Sequence, residues 1–262
     1  MNEQAEWLSV AIRLAHEAGA ELRERWATTH TVIAKGYRDI VTEADLAAEA
    51  VILRGLRATF PDHAITSEEA GRDAGTRRVR WIIDPLDGTT NFSRNNPNFS
   101  VSIAALAEGK PVVGVIYDPL RDHCFAARHG GGATLNDVPL QTSGRVELAK
   151  MIFATDWPRE DALRRQHAAR VTRLLIAGRT LRCLGSAALN MAYVAAGWFD
   201  LYVAPHLGAW DHAAAILLVQ EAGGAAETLS GGPWTAESRD PLLAATPGLI
   251  AQIRALLAEE PL

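Results

Sequence analysis

The run Trp81-Ile82-Ile83-Asp84-Pro85-Leu86-Asp87-Gly88-Thr89-Thr90-Asn91 passes from an apolar strand into a tight turn. The strand delivers Asp84 at its end. Pro85 has a fixed φ and no N–H, and Gly88 admits a tight backbone path. Asp84 and Asp87 are thereby predicted to point into one place, with the Leu86 carbonyl between them. Oxygen donors alone suit a hard divalent cation, Mg2+ or Mn2+. Gly88-Thr89-Thr90 reads as the start of a short helix, whose N–H groups attract phosphate. Cation ligands beside a phosphate cradle point to phosphoryl chemistry. Taken alone, the same residues also read as an Asp-Gly turn with Asp84 capping a helix.

Outward from this run, residues 80–83 form the strand, and Ala64–Ser67 is a shorter one leading into Glu68-Glu69. Residues 7–25 read as a helix with Leu8, Ala11, Ile12, Ala15 and Leu22 on one stripe. Residues 43–60 read as a second helix, with Leu46, Ala50, Leu53, Leu56 and Phe60 inward and Pro61-Asp62 as its stop. Residues 99–106, 111–117, 123–127 and Ala133–Leu135 are strand-like and separated by turn residues, which predicts an antiparallel meander. Beyond about residue 145, strand and helix alternate: Ile152–Thr155, Asp161–Ala177, 180–184, 186–196, 199–203, 211–222, Leu242–Ala245 and Pro247–Ala258. Two sub-domains sharing a cleft are expected. Residues 1–145 would form an α+β half with most of the acidic ligands, and 146–262 an α/β half with Asp211.

The 262 residues hold 26 Lys plus Arg against 31 Asp plus Glu, a formal charge of −5. A mildly acidic pI of about 5.9 argues against nucleic acid or an anionic membrane as the main partner. Hydrophobic residues at 48% and charged residues at 22% exclude a disordered chain. Two cysteines, Cys124 and Cys183, exclude a disulfide-dense mini-protein and read as buried free thiols of a reducing compartment. No Cys/His spacing suggests zinc. Residues 1–26 lack the basic start, apolar core and cleavage site of a leader. No run approaches the roughly 18 apolar residues of a membrane span, so the cytoplasm is the expected location.

Three other acidic stretches have bland readings of their own. Glu68-Glu69 is a solvated pair, Asp211 after Trp210 is a helix N-cap, and Thr42 to Asp45 is a capping box. Next to Asp84 and Asp87 they become candidates for binding cations and orienting water.

Their order along the chain resembles the inositol monophosphatase family of Mg2+-dependent, Li+-sensitive sugar phosphatases. The matching motifs are Val41 to Asp45, Glu68-Glu69, Trp81 to Phe92, and Trp210-Asp211-His212-Ala213-Ala214 through Glu221-Ala222-Gly223-Gly224. The resemblance implies an αβαβα sandwich of the sugar-phosphatase type, a layered α+β fold, and a homodimer. It implies that Glu68, Asp84 and the Leu86 carbonyl hold one cation, and that Asp84, Asp87 and Asp211 hold a second. A third, weaker Mg2+ would use Glu68 mostly through water. Thr89, backed by Asp45, and Glu68 would position and deprotonate a water. The amides of Gly88 and Thr89 would bind phosphate, with Asp87 and Asp211 facing the substrate as well. Lys35 matches a basic residue on a loop that approaches the site, and Gly185, Ser186 and Ala187 match the segment that touches the sugar ring. The implied reaction is direct, in-line attack of water on a small phosphorylated metabolite, inositol-1-phosphate-like, with no phospho-enzyme.

The departure is Ala204. Family members that act on inositol phosphate place a Glu there, seven residues before the Asp of the second signature, and losing that acceptor removes about 1–3 kcal/mol of hydrogen bonding to a polyol. His206 and Asp200 are candidate substitutes. Asp156 and Arg159, in Thr155-Asp156-Trp157-Pro158-Arg159, suit a charged substrate such as histidinol phosphate, fructose-1,6-bisphosphate or 3′-phosphoadenosine-5′-phosphate. Two competing readings remain. One is an aspartyl-nucleophile phosphatase, whose second Asp would lie at +2 rather than +3. The other is a regulatory protein that keeps the fold and binds RNA polymerase or another partner. Walker A, HExxH and GxSxG patterns are absent.

Overall fold

Strands that are apolar on both faces need cover on both faces. The chain provides it with three helical layers around two sheets. The structure, a computed structural model, describes residues 3–72, 78–205, 207–236, 238 and 242–258. In chain order, α1 (Glu3–Arg25) precedes the hairpin β1 (Val32–Gly36) and β2 (Asp39–Thr42), then α2 (Glu43–Thr59). Next come β3 (Ala64–Ser67), β4 (Gly71–Arg72), β5 (Val79–Asp87) and the one-turn α3 (Thr89–Phe92). They are followed by β6 (Ser100–Ala107), β7 (Lys110–Asp118), β8 (His123–Arg128), β9 (Ala133–Leu135) and β10 (Val138–Pro139). The remainder is β11 (Ile152–Thr155), α4 (Asp161–Ala177), β12 (Thr180–Arg182), α5 (Ala187–Ala195) and β13 (Leu201–Ala204), then α6 (Ala209–Glu221), β14 (Ala225–Thr228), β15 (Leu242–Ala245) and α7 (Pro247–Ala258).

The larger sheet has the order β10-β9-β8-β7-β6-β5-β3-β4, and the smaller one β12-β11-β13-β15-β14. From β5 to β10 the larger sheet is an antiparallel meander, and only β3 and β5 run parallel in it. In the smaller sheet β11 is parallel to both β12 and β13. Successive side chains of a strand face opposite ways, and that alternation builds separate cores. Trp81, Ile83, Ile103, Val113 and Val115 pack under α1 and α2. Ile82, Ala104, Leu106 and Ile116 face α5 and α6, which also cover Ala154, Tyr202 and Ala204 of the smaller sheet. The far side of that sheet presents Phe153, Leu201 and Val203 to α4 and α7. The layers are therefore αβαβα. Gly114 on β7 lets the central layer sit close, because a Cβ there would lie 2.6 Å from the Ala214 carbonyl oxygen of α6.

Four expectations need correction. The hairpin β1–β2 replaces the expected loop, and Lys35 lies on its first strand. The β1 residues are exposed throughout and carry no apolar alternation that would betray them. On α1 the buried stripe is Trp7, Ala11, Leu14, Ala15, Ala18 and Leu22, with Leu8 and Ile12 half-buried at its edge. On α2 the buried face is Ala44, Asp45, Ala48, Glu49, Ile52 and Leu56, while Leu46 and Ala50 are exposed. The helix is turned so that two acids, and not the maximum of apolar surface, face inward. Cys124 is buried, but Cys183 is exposed. Among the described residues, no helix is long and apolar enough to cross a membrane.

Candidate metal centre and active-site cavity

From Asp84 to Asp87, β5 advances three residues while its partner β6 goes back only two, from Ser102 to Ser100. The surplus residue is a bulge at Pro85-Leu86, where Pro85 has no N–H to offer the ladder. On a regular strand, residues an odd number apart face opposite ways. The bulge cancels that rule and brings both carboxylates to one side. Asp211, in the first turn of α6, reaches the same point, with Gly208 N donating to its Oδ2 at 2.6 Å. Carboxylate oxygens of Asp84, Asp87 and Asp211 lie within 4.8 Å of one another.

Three acids this close cannot all stay ionised without a counter-charge. Burial, and then the charges of Glu68, Asp87 and Asp211, raises the Asp84 pKa well above the usual carboxylate range. Burial, and then Asp87 and Glu68, does the same to Asp211. Burial takes Asp87 up to about 7, against the pull of its bonds from Ser186 and Ala188. A compact, oxygen-only and electrostatically frustrated donor set fits a hard divalent cation.

Glu68 stands outside this trio. Lys35 Nζ lies 3.3 Å from Glu68 Oε1, 2.6 Å from Glu69 Oε1 and 3.9 Å from Asp39 Oδ1. Burial opposes the Lys35 ammonium, but these acids outweigh it and raise its pKa. Thr89 Oγ1 lies 2.9 Å from Asp45 Oδ1 and 3.2 Å from the Leu86 carbonyl oxygen. Asp45 is buried, and its Oδ2 accepts Thr42 N at 2.8 Å and Thr42 Oγ1 at 2.6 Å. Gly88 has φ +103°, and a Cβ there would meet the Asn98 carbonyl oxygen at 2.9 Å, so only glycine fits the turn that starts α3.

Asp87 also acts as a joint. Its carboxylate accepts Ser186 Oγ at 2.5 Å, Ala188 N at 2.7 Å and Ala187 N at 3.2 Å, so it holds the N-terminus of α5. Of the segment expected to touch substrate, Gly185 and Ala187 line a cavity of about 610 Å3, together with Asp84, Leu86, Asp87, Gly88, Thr89, Ala204 and Asp211. Ser186 is buried, with its hydroxyl turned to Asp87. Asp200 is not at this cavity and instead accepts Ser143 Oγ and Ile152 N. His206 lies outside the described residues.

Glu49 and Arg38 escape sequence reasoning, and Arg159, expected to suit a charged substrate, is paired with Asp39. Glu49 Oε1 accepts Ser67 Oγ, and also Ala70 N at 2.9 Å, so one buried carboxylate clamps both ends of Glu68-Glu69. The available signal was its spacing of four from Asp45, on one face of α2. Arg38 and Arg159 tie the β1–β2 hairpin to the start of α4. Arg38 Nη1 lies 2.7 Å from Asp161 Oδ1, and Arg159 Nη2 lies 2.9 Å from Asp39 Oδ1. Arg38, Arg159 and Asp161 are exposed and Asp39 is half-buried, and none of them carries a sequence periodicity.

A model of the inositol monophosphatase family matches residues 3–261. The curated relative Nus factor SuhB of Escherichia coli strain K12 is 43% identical over 234 residues, 86% of each chain. That of Pasteurella multocida strain Pm70 is 40% identical over 251 residues, 94% of this chain and 93% of the relative. The crystal structure of extragenic suppressor protein suhB from Bartonella henselae superposes with a TM-score of 0.93 at 34% identity, covering 97% of this chain and 99% of that one. An IMPase of Thermotoga maritima superposes with a TM-score of 0.89 at 32% identity, covering 96% of each.

Two outcomes are expected. Glu49→Gln weakens the clamp on Glu68-Glu69, so Mn2+ binding measured by calorimetry should fall about 10- to 100-fold in a protein with unchanged circular dichroism. Unchanged Mn2+ affinity would contradict the positioning role. In the metal-free protein, Asp87 keeps its proton up to about 7, whereas the unfolded chain releases it near about 3.9. The folded state binds more protons between those values, so its stability falls as pH rises through that window. Mg2+ offsets the loss only where the acids ionise. Thermal denaturation should therefore show larger Mg2+ stabilisation at alkaline than at acid pH, about 2.7 kcal/mol at 100-fold over Kd. Equal stabilisation on both sides of the window would contradict the cage.

Proposed function

The chain belongs to the inositol monophosphatase family, and on that premise we propose that it is a Mg2+-dependent phosphomonoesterase acting on a small phosphorylated metabolite. The carrying observation is the convergence of Asp84, Asp87 and Asp211 beside the Gly88-Thr89 turn, all lining one cavity. Family membership and the acidic cluster support metal dependence, and we propose Mg2+ as the ion, with Li+ inhibition and a homodimer.

Asp84, Asp87, Asp211 and the Leu86 carbonyl would hold the cations, with Glu68 at their edge. Bound there, divalent ions neutralise a phosphate dianion, lower the pKa of a water and stabilise a leaving alkoxide. The remaining work is done by side chains. Asp45 Oδ1 takes the Thr89 hydroxyl hydrogen, which leaves the Thr89 oxygen to accept a hydrogen bond from a water in the cavity. Thr42 pins Asp45 from behind, so Thr89 cannot drift. Glu68, once free of Lys35, is the acceptor placed for the proton of that water. Gly88 and Thr89 hold the ester in line with it. No side chain becomes covalently linked in this scheme.

The name Nus factor SuhB borne by bacterial relatives favours a second, non-catalytic reading: a regulatory binding protein on the same fold. Turnover separates the two. Phosphate release should be measured with Mg2+, with and without Li+, on inositol-1-phosphate, histidinol phosphate, fructose-1,6-bisphosphate and 3′-phosphoadenosine-5′-phosphate. Asp87 anchors α5 as well as the cage, so Asp84 is the cleaner substitution. Its carboxylate accepts only Leu86 N, at 3.0 Å, among the described hydrogen bonds. Asp84→Asn should bring Mg2+-dependent release to background while the protein stays folded. Near-normal release in that variant would refute the assignment.

A further inference from the structure

Asp156 faces the same cavity but belongs neither to the cage nor to an ion pair. It follows β11, whose register sets Thr155 opposite Val203 and so places Asp156 beside Ala204 at the strand ends. Its Oδ2 accepts Asn190 Nδ2 at 2.8 Å and the Tyr202 hydroxyl at 3.0 Å. Its Oδ1 accepts a single donor, Gly185 N at 3.0 Å. All three donors are neutral. Among the described residues no cation lies within ion-pair distance of Asp156, although three arginines line the cavity. Arg38 is paired with Asp161 and Arg159 with Asp39. Arg164 lies over the Trp157 ring and donates to the Pro158 carbonyl. Burial raises the Asp156 pKa to about 6, against the pull of its three donors, so the group is mainly ionised at neutral pH.

The cavity wall carries the apolar side chains of Trp157, Pro158, Ala204, Pro205 and Leu207 as well as Glu160 and the three arginines. A ring of hydroxyls set against the apolar part of that wall would leave some of its polar groups unsatisfied. A single cation would meet Asp156, a carboxylate held by neutral donors alone, with its hydrocarbon body against the apolar part of that wall. The span is fixed as well. Gly185 N is bound to Asp156, while Ser186 Oγ and Ala187 N are bound to Asp87, so adjacent residues of one turn tie this carboxylate to the cage.

We propose that the substrate is the phosphate ester of an amino alcohol, with its phosphate at the acidic cage and its protonated nitrogen on Asp156 Oδ1. This rests on the phosphatase reading and narrows it. The test is Mg2+-dependent phosphate release from ω-aminoalkyl and ω-hydroxyalkyl phosphates of matched chain length, with p-nitrophenyl phosphate as a general ester. At the best length, kcat/KM for the amine should exceed that for the alcohol by about 10- to 100-fold. Asp156→Asn should bring the ratio close to one. Glu160→Gln, at another carboxylate lining the cavity, should keep it. Equal turnover of amine and alcohol by the wild-type protein, or an amine preference that survives in Asp156→Asn, overturns the proposal. The wild-type ratio decides even where Asp156→Asn does not fold. Release from p-nitrophenyl phosphate without amine preference sinks this inference alone, whereas no release from any ester sinks the phosphatase reading with it.

Discussion

Like charges held close in a poorly solvated place are the constraint around which this molecule is arranged. Asp84, Asp87 and Asp211 lie within 4.8 Å of one another, and each has its pKa pushed upward by burial before any neighbour is counted. Hydrophobic packing alone would never choose that arrangement. It persists because the backbone imposes it. A bulge at Pro85-Leu86 aims two of the acids, and the first turn of α6 brings the third. The layers on either side are tied to the same point. Asp87 holds α5, Asn91 Nδ2 donates to the Leu184 carbonyl at 2.7 Å, and Gly114 lets α6 rest against β7. The site is thus also the seam between the two sheets.

The seam explains why so much of the site was legible in the primary structure. A strand ending Asp84-Pro85-Leu86-Asp87-Gly88 needs a proline to break the ladder and a glycine at φ +103°, and both requirements leave a readable trace. The meander was legible for a similar reason, since its apolar strands are separated by turn residues such as Asn136-Asp137, both at positive φ. Other features left no trace. The inward face of α2 differs from its apolar stripe because Asp45 and Glu49 are buried for the hydrogen bonds they accept, which no hydropathy pattern can express. Strand β1 is exposed throughout, and its hairpin is held by ion pairs to residues more than a hundred positions away, such as Arg38 to Asp161. The Asp156 environment depends on the register of β11 beside β13, which is a tertiary fact.

The two ends of the cavity differ in kind. At the cage, charge is concentrated and unsatisfied. Beside Ala204 lies Asp156, a carboxylate held by neutral donors, with Trp157, Pro158, Pro205 and Leu207 among the apolar side chains of the cavity. In the proposed function, a site of this shape would separate reaction from recognition: the acids and the Thr89–Asp45 pair would serve any phosphate ester, while the far wall would select which one. Relatives that share these layers carry names as different as IMPase and Nus factor SuhB, so the fold by itself does not fix the role.

Metal occupancy is the claim beneath all of this. An anomalous difference map from crystals of the full chain grown with Mn2+ addresses it most directly. The account predicts strong peaks within coordination distance of Asp84, Asp87 and Asp211, with the Leu86 carbonyl turned toward one of them. A well-ordered cage with no anomalous density among its carboxylates at saturating Mn2+ would contradict it.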